Sequence, residues 1–515
     1  MHEVGKSTPL NALQPRPNRR RDVALILTGL AAGTMLIRVP SLFEPRWYFD
    51  EGVFTTVAWA MSKGLPLYSR AYDLQPPGIY WLYRLMIAFG AGEHHFVAQL
   101  VGALFVVATA VLTFVISLRF MPLRPAALAG AMTGLVLSIP TLDGDLLNVE
   151  IAALPFFLAS LRLAFSRRWP LVFASGVLLG VAVLMRPSVI LDGLALLIPL
   201  LSNGSKILRL LVSGAGSAAA LVGALLVLWV DGSLPAYLTT VLPSDHVYAL
   251  SANGGTFTPL FVRLAVLAAI SVICVARAKS DRGRLLAVWL PASLAGSSLT
   301  PTEYTHFFHE AAPALAFAIA IRVAGFRWRW FVAPQAALAL VIFAEALLIL
   351  PAQQTAIMES RTPPLPLKHN LGFWDMPAYY GNWFAFASGA RSTSQYERWF
   401  RDVGQRQAES SLLQHLAGSS SDRLLVLGGT PWLYIESGLL PATRYVAVCS
   451  SACIVPSEIT EVRASLRSSC ANLVVAVGQL PFWQGDLEAG GYVAVDGAPW
   501  PTFRSSRPPG QCASG

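Results

Sequence analysis

WYFDEGVFTTVAWAMSKGLPLY (residues 47–68) sets two adjacent carboxylates, Asp50 and Glu51, directly after an apolar segment. Beyond the acid pair, Val53, Val57, Ala60 and Met61 recur at helical spacing, with Phe54 and Ala58 beside them and a stop at Lys63-Gly64. The spacing predicts an amphipathic helix lying along a membrane surface. QPPGIYWLYRLMIAFG (75–90) is expected to start a second one, with Pro76 and Pro77 at its entry.

The rest of the chain supplies the membrane. Its 515 residues are 54% hydrophobic and only 13% charged, about half the charged share of an ordinary soluble domain. Mean hydropathy is +0.54. Apolar segments close to the ~20 residues that cross a bilayer as a helix fall at roughly 23–40, 96–118, 125–140, 150–166, 170–185, 188–202, 207–230, 258–276, 285–299, 307–322 and 331–350. That is about eleven spans. The first contains Arg38 and lacks a small-x-small cleavage site, so it reads as a transmembrane helix and not as a signal peptide.

Lys and Arg accumulate in short cytoplasmic loops. RPNRRR (16–21), Arg119/Arg124, Arg167/Arg168, Lys206/Arg209, RAKSDRGR (277–284) and Arg322/Arg327/Arg329 then all fall on one side. The alternate loops carry TLDGDLLN (141–148), residues 231–255 and TPTEYTH (300–306). This alternation puts the tail 1–22 in the cytoplasm of a cell that bears the chain in its plasma or inner membrane. It puts the first loop, 41–95, and everything after residue 350 outside. The net charge of +9 reflects topology and makes no case for nucleic acid.

After the membrane part, 23–350, a Pro-rich linker (351–369) leads to a soluble-looking stretch, 370–515. DRLLVLGG (422–429) and NLVVAVG (472–478) read as buried strands, and residues 393–418 as one helix with a Gly stop. A small extracytoplasmic α/β domain is expected. It holds Cys449, Cys453, Cys470 and Cys512, while Cys274 sits in a span. Four cysteines on an oxidising face point to one or two disulfides, with three full pairings open. Zinc is the weaker reading, since there is no Cys-x-x-Cys and few histidines lie nearby.

Asp50 supports two compatible readings. It is an N-cap for the surface helix, with Glu51 favourable near the positive helix end, or it is a general base held at the membrane interface.

Together these features resemble a polytopic glycosyltransferase of the C-type fold (GT-C), in the group of protein O-mannosyltransferases and bacterial aminoarabinose and lipopolysaccharide sugar transferases. FDEG (49–52) is similar to that family's Asp-Glu motif. GLPLYSRAYDLQPPGIYWLY (64–83) is similar to its Tyr and Pro-Pro segment. NVEIAALPFFLAS (148–160) resembles a Glu-led span, and GVLLGVAVLMRPS (176–188) a Gly-x-x-x-Gly span ending in Arg-Pro. HFFHEAAPALAFAIA (306–320) and LLVLGGTPWLYIESGLLPATRY (424–445) resemble a late span and the start of an outer domain.

The resemblance implies a sugar donor on a polyprenyl phosphate and an acceptor hydroxyl on a glycan, glycolipid or protein. It implies Asp50 as general base in an inverting displacement. Glu51, Asp73, Gln75, Glu150, Arg186 and His306 would bind substrate. Gln75 stands where relatives commonly carry Lys, which moves the phosphate contact to Arg186, with Arg70 and Arg84 in reserve. Each has a plainer reading. Arg186 snorkels to the interface, Asp73 caps the helix entered at Pro76, and Arg70 and Arg84 meet lipid head groups. Asp143 and Asp145 are solvated loop acids by default, and His309 and Glu310 pair with each other. Only His306 of the group with Glu303, His309 and Glu310 falls on a family position. The spacing of these acids and histidines does not define a metal site, and a divalent cation stays open.

A transporter or lipid-sugar flippase is the alternative. It accounts for the spans and the intramembrane Arg, but not for the acid pair, the long first loop or the outer domain. There is no Gly-x-x-x-x-Gly-Lys-Ser/Thr loop, so ATP hydrolysis has no visible basis.

Overall fold

Where the sequence runs apolar for a dozen residues or more, the backbone satisfies its own hydrogen bonds as helix, the form a bilayer demands. The computed structural model describes residues 19–202, 204–243, 258–278, 280–297, 299, 305–325, 375–400, 402–419, 421–448, 457–477 and 480–507. Along the membrane part these form α1 (Arg19–Arg38), α2 (Phe49–Ser62), α3 (Pro77–Ala88), α4 (Phe96–Ser117), α5 (Leu123–Val136), α6 (Val149–Ala164) and α7 (Trp169–Met185). Next come the short α8 (Val189–Asp192) and α9 (Leu197–Leu201), then α10 (Lys206–Val230), α11 (Thr258–Arg277), α12 (Asp281–Ser297) and α13 (Ala312–Val323).

The expected spans up to residue 322 fall on helices, with two departures. The segment 188–202 is broken by a 3-10 stretch, Gly193–Leu196, and the segment 307–322 opens as the 3-10 helix Thr305–Ala311. The span 331–350 and the linker 351–369 lie outside the described residues. Among the described helices, α4 and α10 are long and apolar enough to cross a membrane. Leu211, Leu226, Trp229 and Val230 of α10 are exposed, as a lipid-facing helix requires.

Small residues bring α7 and α10 together. A Cβ on Gly176 would collide with the Ser213 carbonyl, and one on Gly180 would lie 2.7 Å from Ala220. The Ser217 hydroxyl donates to the Gly176 carbonyl at 2.9 Å. This is the close backbone approach that glycine at i, i+4 permits between apolar helices.

The C-terminal part carries a five-stranded sheet in the order β2-β1-β3-β5-β4. Its strands are β1 (Arg423–Leu427), β2 (Leu440–Pro441), β3 (Leu473–Ala476), β4 (Tyr492–Ala494) and β5 (Thr502–Ser505). β1 pairs in parallel with β2 and β3, in register Leu424–Leu473 to Leu427–Ala476. β5 runs antiparallel to both β3 and β4. Residues 393–418 are not one helix. Asp402 takes the left-handed conformation at φ 59° and separates Thr393–Glu397 from Val403–Leu416.

The second correction concerns α2. A surface helix would keep one face in water, yet Glu51 to Ala58, Ala60 and Met61 are all buried. The face expected to be polar is covered by Pro431 and Trp432, where the short helix Trp432–Ser437 begins after β1, so α2 is held between α3 and that helix. The first loop is also stitched to that unit by a backbone bond from Tyr72 to the Arg444 carbonyl at 2.7 Å.

Candidate active site

Helix α2 begins at Phe49, and its N-cap is Tyr48, which makes no side-chain capping bond. Asp50 is therefore not the cap. Asp50 and Glu51 both lie in the first turn, near the positive helix end, about 100° apart around the axis. That angle sends them to different surroundings.

Asp50 is half-buried, and its carboxylate has no hydrogen bond or ion pair among the described residues. Burial pushes its pKa up to about 7, with Asp73, Asp143 and Glu150 adding to the rise and His306 opposing it. Glu51 is 1% exposed. It accepts from Gln99 Nε2 at 3.3 Å, lies 3.3 Å from His95 Nε2, and has the Tyr83 hydroxyl at 3.5 Å. Burial and then Asp145 push Glu51 to about 8. Burial, Arg46 and Arg406 hold His95 down at about 3. With the imidazole neutral the contact is not an ion pair, and His95 Nε2 accepts instead from Gln99 Nε2 at 3.0 Å. Of the two acids, only Asp50 has its oxygens free for a substrate.

Across from Asp50, the turn after the 3-10 helix Pro140–Leu142 holds Asp143 in the left-handed conformation. Asp143 accepts from the Tyr48 hydroxyl at 3.1 Å and lies 2.8 Å from His306 Nδ1. Burial opposes charge on His306, but Glu150, the bond to Asp143 and the nearby Asp50 outweigh it and push the imidazole up to about 9. Asp143 and Asp145 are 1% and 2% exposed, so the expectation of solvated loop acids is wrong for both. Helix α6 starts at Asn148, whose Oδ1 accepts from Ile151 N at 3.0 Å and places Glu150 in the first turn.

Arg186, at the C-terminal end of α7, reaches between Glu150 and Glu310. It bonds Glu150 directly and donates through Nε to Glu310 at 2.8 Å, with its guanidinium 4.8 Å from the Phe307 ring centroid. Ser188 also donates to Glu310, at 2.6 Å. Glu310 therefore does not pair with His309 as expected; the guanidinium is the stronger partner for a buried carboxylate. The Pro-Pro-Gly entry to α3 abuts the same spot, since a Cβ on Gly78 would meet the Leu184 carbonyl at 2.5 Å.

The remaining candidates stand further off. Asp73 is raised by burial and accepts from the Tyr80 hydroxyl at 2.5 Å; it does not cap α3, whose N-cap is Pro76. Gln75 is held through its backbone, donating to the Tyr80 oxygen at 3.1 Å and accepting from the Tyr68 hydroxyl at 3.0 Å. Arg70 lies near Arg423, whose pKa its charge helps to lower. Arg84 is exposed on α3. Glu303, Cys449, Cys453 and Cys512 lie outside the described residues, and Cys470 is disulfide-bonded. Among the described residues no group of three or more His, Cys, Asp or Glu is placed to hold a metal ion.

A group beside Glu51 was not anticipated. Glu44 accepts from the Tyr379 hydroxyl at 2.5 Å and the Trp47 indole at 2.7 Å. Arg38 is 1% exposed among Asp145, Glu44 and Glu51. A charge at the end of an apolar span was the available signal.

The arrangement presents an open carboxylate that titrates near neutrality beside a protonated imidazole and a clamped guanidinium. Such a set can take a proton from a hydroxyl while positive charge meets an anionic leaving group. Neither a protein-family model nor a curated protein matches the chain. Solved structures do. ArnT from Cupriavidus metallidurans bound to undecaprenyl phosphate aligns with a TM-score of 0.57 at 15% identity, over 92% of this chain and 98% of that one. The apo state of ArnT gives 0.56 at 15% identity, over 92% and 97%. The oligosaccharyltransferase AglB from Archaeoglobus fulgidus aligns at 0.41 and 12% identity, over 95% of this chain and 75% of that one. A match to ArnT spanning more than nine-tenths of both chains is a statement about architecture: this chain has the fold of ArnT.

Proposed function

We propose that the chain transfers a sugar from a polyprenyl-phosphate donor to an acceptor hydroxyl at the outer membrane face. Asp50 takes the hydroxyl proton, the acceptor oxygen bonds to the anomeric carbon, and the carbon–phosphate-oxygen bond breaks with inversion, releasing the lipid phosphate. The observation that carries this reading is Asp50 itself. Its carboxylate is unpartnered among the described residues and raised to about 7, the poise a general base needs near neutral pH.

His306 and Arg186 supply positive charge toward the phosphate. Arg186 is offset by Glu150 and Glu310, so His306 carries the larger share and Arg186 chiefly orients Glu150 toward the sugar hydroxyls. Asp73 adds negative charge that keeps Asp50 basic. Gln75, Arg70 and Arg84 have no part in this step. The binding of undecaprenyl phosphate by ArnT, which shares the fold, supports a carrier of that chemical class here.

The test is transfer of labelled sugar from defined polyprenyl-phosphate donors by wild type and Asp50→Asn at matched expression. Loss of transfer by about 10²–10⁴-fold with donor binding retained is the expected result. Full activity in the variant would sink the base assignment, and no wild-type transfer from any donor would favour a transporter or flippase.

A further inference from the structure

The turn that carries Asp50 is built with a piece of the C-terminal unit. Helix α2 lacks a side-chain cap, and the carbonyl of its N-cap residue, Tyr48, accepts from two donors instead. One is Gly52 N, at 3.2 Å, the first bond of the helix. The other is Nε1 of Trp432, at 2.7 Å, which comes from 384 residues away. One turn further on, a Cβ on Gly52 would lie 2.7 Å from that same Nε1 and 2.9 Å from Pro431 Cγ. A turn beyond, the Thr56 hydroxyl donates to the Pro431 carbonyl at 3.0 Å. Residues 48, 52 and 56 form one stripe at i, i+4, i+8, and Pro431-Trp432 lies along all of it. Trp432 is 2% exposed, and its ring packs edge-on to His95 at 5.3 Å, behind Glu51.

Asp50, two residues after Tyr48, projects from the far side of this stripe. It faces His306 and Asp143, to which the Tyr48 side chain is itself bonded. We propose that Trp432 is a positioning residue for Asp50, acting through the Tyr48 carbonyl and the glycine notch at residue 52. On this view the C-terminal unit completes the catalytic turn in addition to any part it plays in acceptor choice. The proposal rests on the reading of Asp50 as the base. A misplacement of about 1 Å at a reacting group can cost 10²-fold, so a single contact of this kind has room to act.

The experiment uses full-length protein in phospholipid vesicles with a polyprenyl-phosphate sugar donor. Trp432→Phe keeps an aromatic side chain but removes the N–H donor together with the pyrrole half of the indole. It should lower kcat by about 10- to 100-fold while donor KM stays within about twofold. It should also move the acid limb of the pH–rate profile to lower pH, because a loosened turn lets water reach Asp50. The groups facing that carboxylate (His306, Asp73, Asp143 and Glu150) are unaltered in the variant. Gly52→Ala should reproduce the kcat loss, and in a Trp432→Ala background it should cost less than in wild type, since only the Pro431 Cγ contact at 2.9 Å then remains. Should Trp432→Phe fail to fold, Gly52→Ala alone decides, since the glycine notch requires it to lower kcat and move the same acid limb, and wild-type values for both would overturn the proposal.

Wild-type kcat with an unmoved acid limb in Trp432→Phe, or additive effects of Gly52→Ala and Trp432→Ala, would overturn the proposal. Asp50→Asn run in parallel separates the two ideas. An inactive Asp50→Asn beside a fully active Trp432→Phe leaves the base standing and removes Trp432. An active Asp50→Asn removes the base, and the positioning role with it.

Discussion

Asp50→Asn should weaken catalysis and strengthen the fold, and the second effect has a pH signature. The folded protein holds the Asp50 proton up to about pH 7, whereas an ordinary aspartate releases it near 3.8. Folding therefore binds a proton between those values. Stability falls as pH rises from about 4 to 7, and the loss is complete above 7. Asparagine has no proton to lose and escapes that penalty. The interval corresponds to about 4 kcal/mol if fully expressed. Asp50 is half-buried and keeps some contact with water, so a gain of about 1–3 kcal/mol is the realistic figure. Thermal unfolding of both proteins in detergent, followed by tryptophan fluorescence at pH 5, 6, 7 and 8, reads it out. The advantage of the variant should grow from pH 5 to 7 and level off above. A difference that does not change with pH, or a variant less stable at pH 8, would show that Asp50 is not the strained carboxylate described above.

Three other outcomes are expected. The pH profile of kcat/KM should be bell-shaped, rising through about 7 as Asp50 ionises and falling through about 9 as His306 loses its proton. His306→Gln should abolish the alkaline limb and shift the acid limb upward, since a cation that favours the Asp50 carboxylate is gone. Arg186→Met strands two buried carboxylates and should lower stability by about 3–5 kcal/mol; adding Glu310→Gln should recover part of that in a melting experiment. Gly176→Leu drives a side chain into the Ser213 carbonyl and should cost about 1–3 kcal/mol, measured the same way, with the α7–α10 pair separating first.

Apolar length located the helices well, because a bilayer leaves the backbone few other ways to satisfy its hydrogen bonds. Local signals failed where the deciding contact is distant. Asp50 reads as a cap from its neighbours alone, but Trp432 secures the Tyr48 carbonyl, and the helix starts two residues earlier. The two faces of α2 look like lipid and water in sequence, yet the second face belongs to Pro431-Trp432. Asp402 gives no more warning than any loop acid that it breaks a helix in two. Arg186 bonds Glu150, and Glu150 and His306 both act on Asp50, although they come from separate stretches of the sequence. The third partner, Glu310, was misassigned to His309 because it is adjacent in sequence, while Arg186 lies 124 residues away. Arg38 carried its own flag, a guanidinium in an apolar span, but its acidic surroundings arrive from three separate segments.

The bond between Tyr48 and Trp432 also has a meaning in time. A chain made from its N-terminus exposes Asp50 early, but the indole that seats its turn is 384 residues further on. Until residue 432 has been made and β1 has formed beside it, α2 has a carboxylate with no fixed direction. On the proposed reading of Asp50 as the base, its turn is among the last parts of the molecule to be set. A chain cut short before that point would keep its described membrane helices and its acid pair, and still lack the Tyr48–Trp432 bond.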